Sequence, residues 1–206
     1  MATRLSPDQK RTELLEGTIR AVAKKGLENA STRDICDESG INVAYIYHFF
    51  ADKEDMLTQA FEESDERFLR VILDNLPVLR YTDIDYEQRC RMLFDRCWEY
   101  ILERPDRLLF YMRYYFSSLY TKYAVRAHTE RYQVLTERMS SAFPEGEDVM
   151  AILRQLLSML LNALFVQVTA PTDEPNVAAD KCFAMIFSII RAYIKKDAER
   201  DAEAAE

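Results

Sequence analysis

Residues 31–57, STRDICDESGINVAYIYHFFADKEDML, gather hydroxyls, an amide, an arginine, two tyrosines, a histidine and a lysine at spacings suited to gripping a polyanion rather than to breaking bonds. Ser31 and Thr32 stand where a hydroxyl accepts from the free amides of a helix's first turn. Asp34, three residues after Ser31, has capping-box spacing and puts its carboxylate at the positive helix end. Gly40 can take the left-handed conformation that stops a helix, and Asn42 is a good cap for the next one. A capping group also sits where a phosphate approaches a helix N-terminus, so Ser31, Thr32 and Asn42 are open to either role. Two short helices around a tight turn make a helix-turn-helix.

Bond-making chemistry finds no comparable constellation. The chain has no GxSxG, no HExxH and no phosphate-cradling glycine loop. Its four cysteines, Cys36, Cys90, Cys97 and Cys182, form no CxxC pair, and the spacing of Cys90 and Cys97 does not juxtapose thiols for zinc. The expectation is a protein that is not an enzyme, with reduced, mostly buried thiols and neither metal nor cofactor.

The elements that would position residues 31–57 read clearly. Ser6-Pro7-Asp8-Gln9 is a capped helix start, Leu15, Ile19 and Val22 give a helical stripe, and Lys24-Lys25-Gly26 supplies a cationic last turn and a stop. A fourth helix starts near Asp52 and carries Leu57, Phe61, Phe68 and Ile72 until Pro77. Further helices are expected at 86–104, 106–118, 121–142, 147–169 and 176–196, divided by Pro105, by Pro144-Glu145-Gly146 and by the segment from Pro171 to Pro175. The tail after Ile194, KKDAERDAEAAE, reads as a fraying helix end. The fold class is therefore all-α, with a head at 1–53 and a helical body at 54–206.

Charge is divided along the same line. The net charge is −8, yet residues 1–53 hold eight basic and eight acidic side chains, so the whole excess lies beyond them. Exposed charges are screened beyond about 8 Å, so an acidic body held away from a duplex tolerates local phosphate contacts and opposes nonspecific ones. The N-terminus, MATRLSPDQK, lacks an apolar signal core, from which cytoplasmic residence is expected. Val149 to Ala170 is long and apolar, but Arg154, Gln155, Asn162 and Gln167 interrupt it; a helix in a helical interface is expected there, and no membrane.

Thr32, Arg33, Ile35, Gly40, Ile41, Tyr45, Tyr47, Phe50, Lys53 and Leu57 follow an order that resembles the N-terminal signature of TetR-type transcriptional regulators. Cys36 departs from it, since the family more often has alanine there. The resemblance covers about the first quarter of the chain and implies an N-terminal three-helix DNA-binding domain with a helix-turn-helix, and a C-terminal ligand-binding and dimerisation domain. It implies a homodimeric repressor that binds a palindromic double-stranded operator and is released by a small-molecule effector. The alternative is a helical protein-interaction module on the same scaffold.

By match to the family's reading positions, Arg33, Val43, Ala44, Tyr45 and His48 would face base edges: arginine offers paired donors to guanine, and alanine packs on a thymine methyl. Ser31, Thr32, Asn42, Tyr47 and Lys53 would hold phosphates. Tyr45 and Tyr47 could instead serve as core aromatics, and His48 as a surface residue. In the family the last two helices pair with their symmetry mates, which here would place Leu153, Leu156, Leu157, Leu160, Leu164, Phe183, Ile186 and Ile190 at a dimer interface. Aromatic residues crowd positions 98–123, and this density suits a core or a cavity. The family's effector pocket lies in this region, so Trp98, Phe110, Met112, Tyr114, Tyr115, Phe165 and Gln167 are candidate lining residues for a hydrophobic or aromatic effector.

Overall fold

Proline opens three of the helices. Pro7, Pro105 and Pro175 each occupy a first-turn position, where the missing N–H would have had no intrahelical partner. The computed structural model describes residues 5–194, and no strand occurs among them, so the all-α expectation holds. The helices are α1 (Pro7–Lys25), α2 (Thr32–Ser39), α3 (Ile46–Phe49), α4 (Lys53–Asn75), α5 (Tyr86–Leu102), α6 (Pro105–Tyr115), α7 (Val125–Met139), α8 (Val149–Thr169) and α9 (Pro175–Tyr193).

Three expectations change in detail. The helix expected at 121–142 is a π-helical turn at Tyr120–Ala124, then α7, then a 3-10 turn at Ser140–Ala142. The helix expected from Asn42 is a 3-10 turn at Val43–Tyr45 that runs into the four residues of α3, because Phe50 turns extended (φ −130°, ψ 144°) and buries its ring. α9 ends at Tyr193, and the tail expected to fray lies outside the described residues.

The chain forms two compact units, and their boundary is not at residue 53. One unit takes the chain through Glu66 together with Arg104–His128; the other takes Arg67–Glu103 and the chain from Thr129. The division expected at 53/54 followed the end of the reading motif, whereas compactness follows packing: α6 and the start of α7 return to the first unit.

In the first unit, α1 is the floor. Leu14, Leu15, Ile19 and Val22 are buried on it, against a core that includes Ile35, Ile46, Met56, Leu57 and Phe61. At the α1–α2 contact a Cβ on Gly17 would lie 2.7 Å from Ser39 Cβ and 2.9 Å from the Ile35 carbonyl, so only glycine lets the two backbones approach this closely. α6 is bolted to α1. Arg107 pairs with Glu16 at 2.5 Å and donates to Ser64 Oγ at 2.9 Å, and Arg113 donates to the carbonyls of Val22 and Ala23 at the end of α1. Phe61 centres an aromatic cluster with Tyr111, Tyr114 and Tyr120 at ring distances of 4.9, 4.6 and 5.6 Å. Beneath it Asp65, wholly buried, accepts from the Tyr111 hydroxyl at 2.9 Å and lies 3.0 Å from His128 Nδ1. The buried carboxylate is thus fully engaged, as burial requires.

In the second unit, α5 and α9 pack through a run of rings: Phe94 on Trp98 at 5.6 Å, Phe94 on Phe183 at 5.4 Å and Phe183 on Phe187 at 5.5 Å. Arg91 ties α5 to α9, pairing with Asp95 at 2.7 Å and with Asp180 at 2.6 Å.

Gly17→Ala sets two effects against each other. Alanine favours a helix interior by about 1 kcal/mol over glycine, but overpacking against a backbone that cannot yield costs about 1–3 kcal/mol. A net destabilisation of about 1 kcal/mol is expected, read as a lower urea midpoint by circular dichroism. An unchanged or raised midpoint would show that α1 and α2 can part without penalty.

Candidate nucleic-acid interface

The reading head is assembled by caps. Ser31 Oγ accepts from the Asp34 amide at 3.2 Å, while Asp34 Oδ2 accepts from the Ser31 amide at 2.8 Å and its hydroxyl at 2.7 Å, completing the capping box. Lys25 reaches from the end of α1 to the other Asp34 oxygen at 2.5 Å. With this ammonium first, and then the Ser31 hydrogen bonds, the Asp34 carboxyl is held well below the ordinary carboxylate range. The far end of α2 is held as well: Arg20 donates to the Glu38 carbonyl at 2.8 Å, and Lys24 pairs with the Glu38 carboxylate at 2.6 Å. Gly40 then turns at φ 68°, the left-handed stop that the sequence called for. Asn42 Oδ1 accepts from the Ala44 amide at 2.9 Å and starts the turn into α3.

This frame leaves a coherent exposed set. Arg33, Asn42, Val43, Ala44, Tyr47 and His48 are all exposed, with Tyr47 at 67%. Arg33 forms no ion pair or hydrogen bond among the described residues. Ile46 and Phe50, from the same segment, supply the buried face. Tyr45 departs from the expected groove-facing pair. It is half-buried, with the Lys10 ammonium 3.9 Å from its ring centroid and Phe49 stacked at 6.2 Å, so it braces α3 against α1. Thr32 and Lys53 are half-buried, and Ser31, though exposed, is committed to its cap. The Asp52 and Asp55 pair that starts α4 went unnoticed in the sequence. Asp52 accepts from the Asp55 amide and Asp55 from the Ala51 amide, both at 2.8 Å; the DKED run carries that signal.

The residues expected to line an effector pocket are not gathered at one cavity. Phe110 and Tyr114 are wholly buried around Phe61, and Tyr115 stacks on Tyr111 at 6.0 Å, in the first unit with half-buried Met112. The Tyr114 hydroxyl lies 2.7 Å from the Thr58 hydroxyl. These rings pack on one another, and the Tyr114 hydroxyl is satisfied within the chain, so they serve as core. Trp98 stacks on Phe94 in the second unit, and Gln167, on α8 with half-buried Phe165, donates to the Asp173 carbonyl at 3.3 Å.

The cavity of the second unit lies elsewhere. It measures about 120 Å³ and is walled by apolar side chains including Ile72, Phe94, Cys97 and Leu135. Leu153, Leu156, Leu157, Leu160, Phe183, Ile186 and Ile190, expected at a dimer interface, also face this cavity, and Leu164 is wholly buried. Leu153, Leu160, Leu164, Phe183 and Ile186 are thus buried within their own chain, whereas Leu156, Leu157 and Ile190 are half-buried. What α8 and α9 expose instead is Arg154, Ser158, Asn162 and Val166 at four-residue spacing, and Val177, Lys181, Met185, Ser188 and Tyr193. Burial raises the Cys90 and Cys97 thiols at the cavity to about 11 and about 12, so they stand there as neutral apolar groups.

Asp34→Ala tests the frame. The folded carboxyl ionises below its ordinary value of 3.8, so its stabilisation is complete above that pH and is lost as pH falls through the depressed value. The variant is expected to melt several degrees lower at pH 7, the gap holding to about pH 5 and narrowing in more acid solution. A gap that widened on acidification would refute this role.

Residues 14–60 match the sequence model described as bacterial regulatory proteins, tetR family. The transcriptional repressor KstR2 of Mycobacterium tuberculosis is 39% identical over 77 residues, which are 37% of this chain and 34% of the relative. The repressor AcnR of Corynebacterium glutamicum is 33% identical over 69 residues, 34% of this chain and 37% of the relative. The match thus spans about a third of the length of these curated relatives. The fold extends further: a TetR family transcription regulator from Marinobacter aquaeolei superposes with a TM-score of 0.71 at 19% identity, covering 92% of this chain and 97% of that one. FadR from Bacillus subtilis, solved in complex with stearoyl-CoA, gives 0.63 at 15% identity over 87% and 95%. Residues 14–60 thus resemble the head of the tetR family of bacterial regulatory proteins, and the fold of the chain is similar along nearly all of its length to that of solved TetR family regulators.

Proposed function

We propose that this protein is a homodimeric repressor of transcription whose α2-turn-α3 segment reads a palindromic operator and whose hold on DNA is released by a small, largely apolar effector. The observation that carries the reading is the exposed set on a capped, rigid frame. Arg33, Asn42, Val43, Ala44, Tyr47 and His48 face solvent, with no partner for the Arg33 guanidinium among the described residues, while Ile35, Ile41, Ile46 and Phe50 are turned inward. In this role Arg33, Val43, Ala44 and His48 meet base edges, Tyr47 and Lys53 meet phosphates, and Ser31, Thr32 and Asn42 hold phosphates while capping. Tyr45 serves by bracing α3.

Pairing of two chains would use α8 and α9. α8 is apolar and long enough to span a bilayer by composition alone, yet only 28% of its most apolar stretch is buried within the chain. A second copy laid on the stripe from Arg154 to Val166 and on Val177, Met185 and Tyr193 would cover the remainder. Two heads related by a twofold axis then read half-sites about 34–36 Å apart, or a multiple of that spacing.

The apolar cavity of the second unit is the effector site in this reading. FadR of Bacillus subtilis, of the same fold, is known with stearoyl-CoA, which supports an apolar ligand for this chain. α4 runs without a break from Lys53 beside the head to Asn75, and Glu103 and Arg104 alone separate α5 from α6, so a ligand that displaces α4 or α5 acts on the head through the chain itself. Effector and operator then weaken each other by the same factor.

Fluorescence anisotropy against the gene's own upstream DNA and a shuffled control, at two salt concentrations, tests the reading head. Selective, salt-sensitive binding is expected, with Arg33→Ala losing about 1–3 kcal/mol on the preferred fragment only. Equal binding to both fragments, or partner-protein binding that survives Arg33→Ala without any DNA affinity, would replace the repressor with an interaction module. Met185→Glu, at an exposed position of α9, is expected to convert dimer to folded monomer in sedimentation velocity; an unchanged dimer would place the interface elsewhere.

A further inference from the structure

A second hollow of about 540 Å³ adjoins the apolar cavity, and its walls carry arginines. Leu76, Leu79, Tyr86 and Met139 line both spaces, so the two share a wall. Arg80, Arg89 and Arg138 all face the larger one, and its lining includes no carboxylate among the described residues. Arg80 and Arg138 are exposed at its rim, and neither forms an ion pair among the described residues.

Arg89 is the unusual member. It is only 7% exposed, and an arginine does not shed its proton to escape burial. Its Nη1 donates to the carbonyls of Leu79 at 3.2 Å and Tyr81 at 2.6 Å, and its guanidinium lies 5.3 Å from the Tyr86 ring centroid. Its Nε, also buried, has no hydrogen-bond partner among the described residues. A buried cation whose contacts are neutral carbonyls and a ring face, with one donor unused, lacks the counter-charge that burial ordinarily demands. Holding the turn at Leu79–Tyr81 explains Nη1 but neither Nε nor the two further arginines.

We infer that the two hollows form one site for an amphipathic anion, whose apolar body occupies the chamber beside Phe94 and Cys97 and whose carboxylate or phosphate head is bound by Arg89, Arg80 and Arg138. This rests on the effector reading above and names the ligand class. An apolar space of about 150 Å³ holds a benzene-sized body, so the 120 Å³ chamber takes a short alkyl segment or a single ring as it stands. The outer hollow lies within the range of small-molecule sites, about 300–1,000 Å³, and accepts a head much larger than a bare carboxylate. The arginine fork suits planar, bidentate oxyanions, and it strengthens as the ligand excludes water.

The chain has one tryptophan, Trp98, and its ring stacks on Phe94 at the chamber wall, so its fluorescence reports filling without a label. Purified full-length protein would be titrated with octanoate, octyl phosphate, octan-1-ol and octylammonium below their micellar concentrations. Both anions, or one of them, are expected to bind at least about tenfold more tightly than the alcohol, with octylammonium weakest; the preferred anion identifies the head. Arg80→Gln/Arg138→Gln, at exposed positions, is expected to lose about tenfold for the anions and nothing for the alcohol. Arg89→Lys keeps the charge but not the fork, and should weaken the anions while leaving the melting curve cooperative. Equal affinity for anion and alcohol, or anion binding indifferent to the double substitution, would overturn the inference. So would the absence of any fluorescence change confirmed by calorimetry. The operator titration is read separately: selective DNA binding with no preference for anions removes the head-group assignment and leaves the repressor standing, whereas anion binding without DNA binding does the reverse.

Discussion

The C-terminal carbonyls of α1 need donors, and much of the first unit follows from how that need is met. A helix leaves its last carbonyls without intrahelical partners; here Arg113 from α6 donates to Ala23 and also to Val22, which accepts the Gly26 amide as well. A positive charge at a helix C-terminus also meets the negative end of the macrodipole. The same turn sends Lys24 and Lys25 to Glu38 and Asp34, the two ends of α2. One helix end therefore fixes α6 on one side and both ends of α2 on the other. The exposed Arg33 and the 42–48 turn inherit their placement from it.

The aromatic residues of the middle of the chain divide between two different tasks. Tyr111, Tyr114, Tyr115 and Tyr120 cluster about Phe61, and the Tyr111 and Tyr114 hydroxyls are taken up by Asp65 and Thr58, so these rings pack as a core. Phe94 and Phe183 belong to the other unit, where they wall a cavity and Trp98 stacks behind Phe94. Ring density alone does not separate these uses. The distinction lies in whether the space opposite each ring is taken by another side chain of the same fold.

The outer hollow of the second unit has a similar lesson for charge. Arg20, Arg91 and Arg107 are each paired with a carboxylate, Arg91 with both Asp95 and Asp180. Arg89 is paired with carbonyls, and it is buried. A fold of net charge −8 has carboxylates to spare, so an arginine site without one among the described residues stands out more here than it would in a basic protein.

Local signals settled the local elements. Ser6, Ser31 and Asp85 cap helices, Gly40 stops one, and prolines open three, because each of these acts through backbone geometry within a few residues of itself. The three-helix head and the reading turn were legible for that reason, since cap, stop and buried stripe occupy fixed short offsets. What the sequence by itself could not determine was which wide apolar face turned inward. Leu153, Leu160 and Phe183 are as apolar as any interface residue, and only the packing of α8 and α9 on α5 placed them inside. Gly17 carried no sequence signal beyond a glycine in mid-helix, and its necessity comes from Ser39, 22 residues away. The convergence of Arg80, Arg89 and Arg138 likewise joins positions up to 58 residues apart. Periodicity reports that a face is apolar and spacing reports that a turn is capped; the partner that each face and each charge meets is a property of the folded chain, because contact distance is not encoded in separation along it.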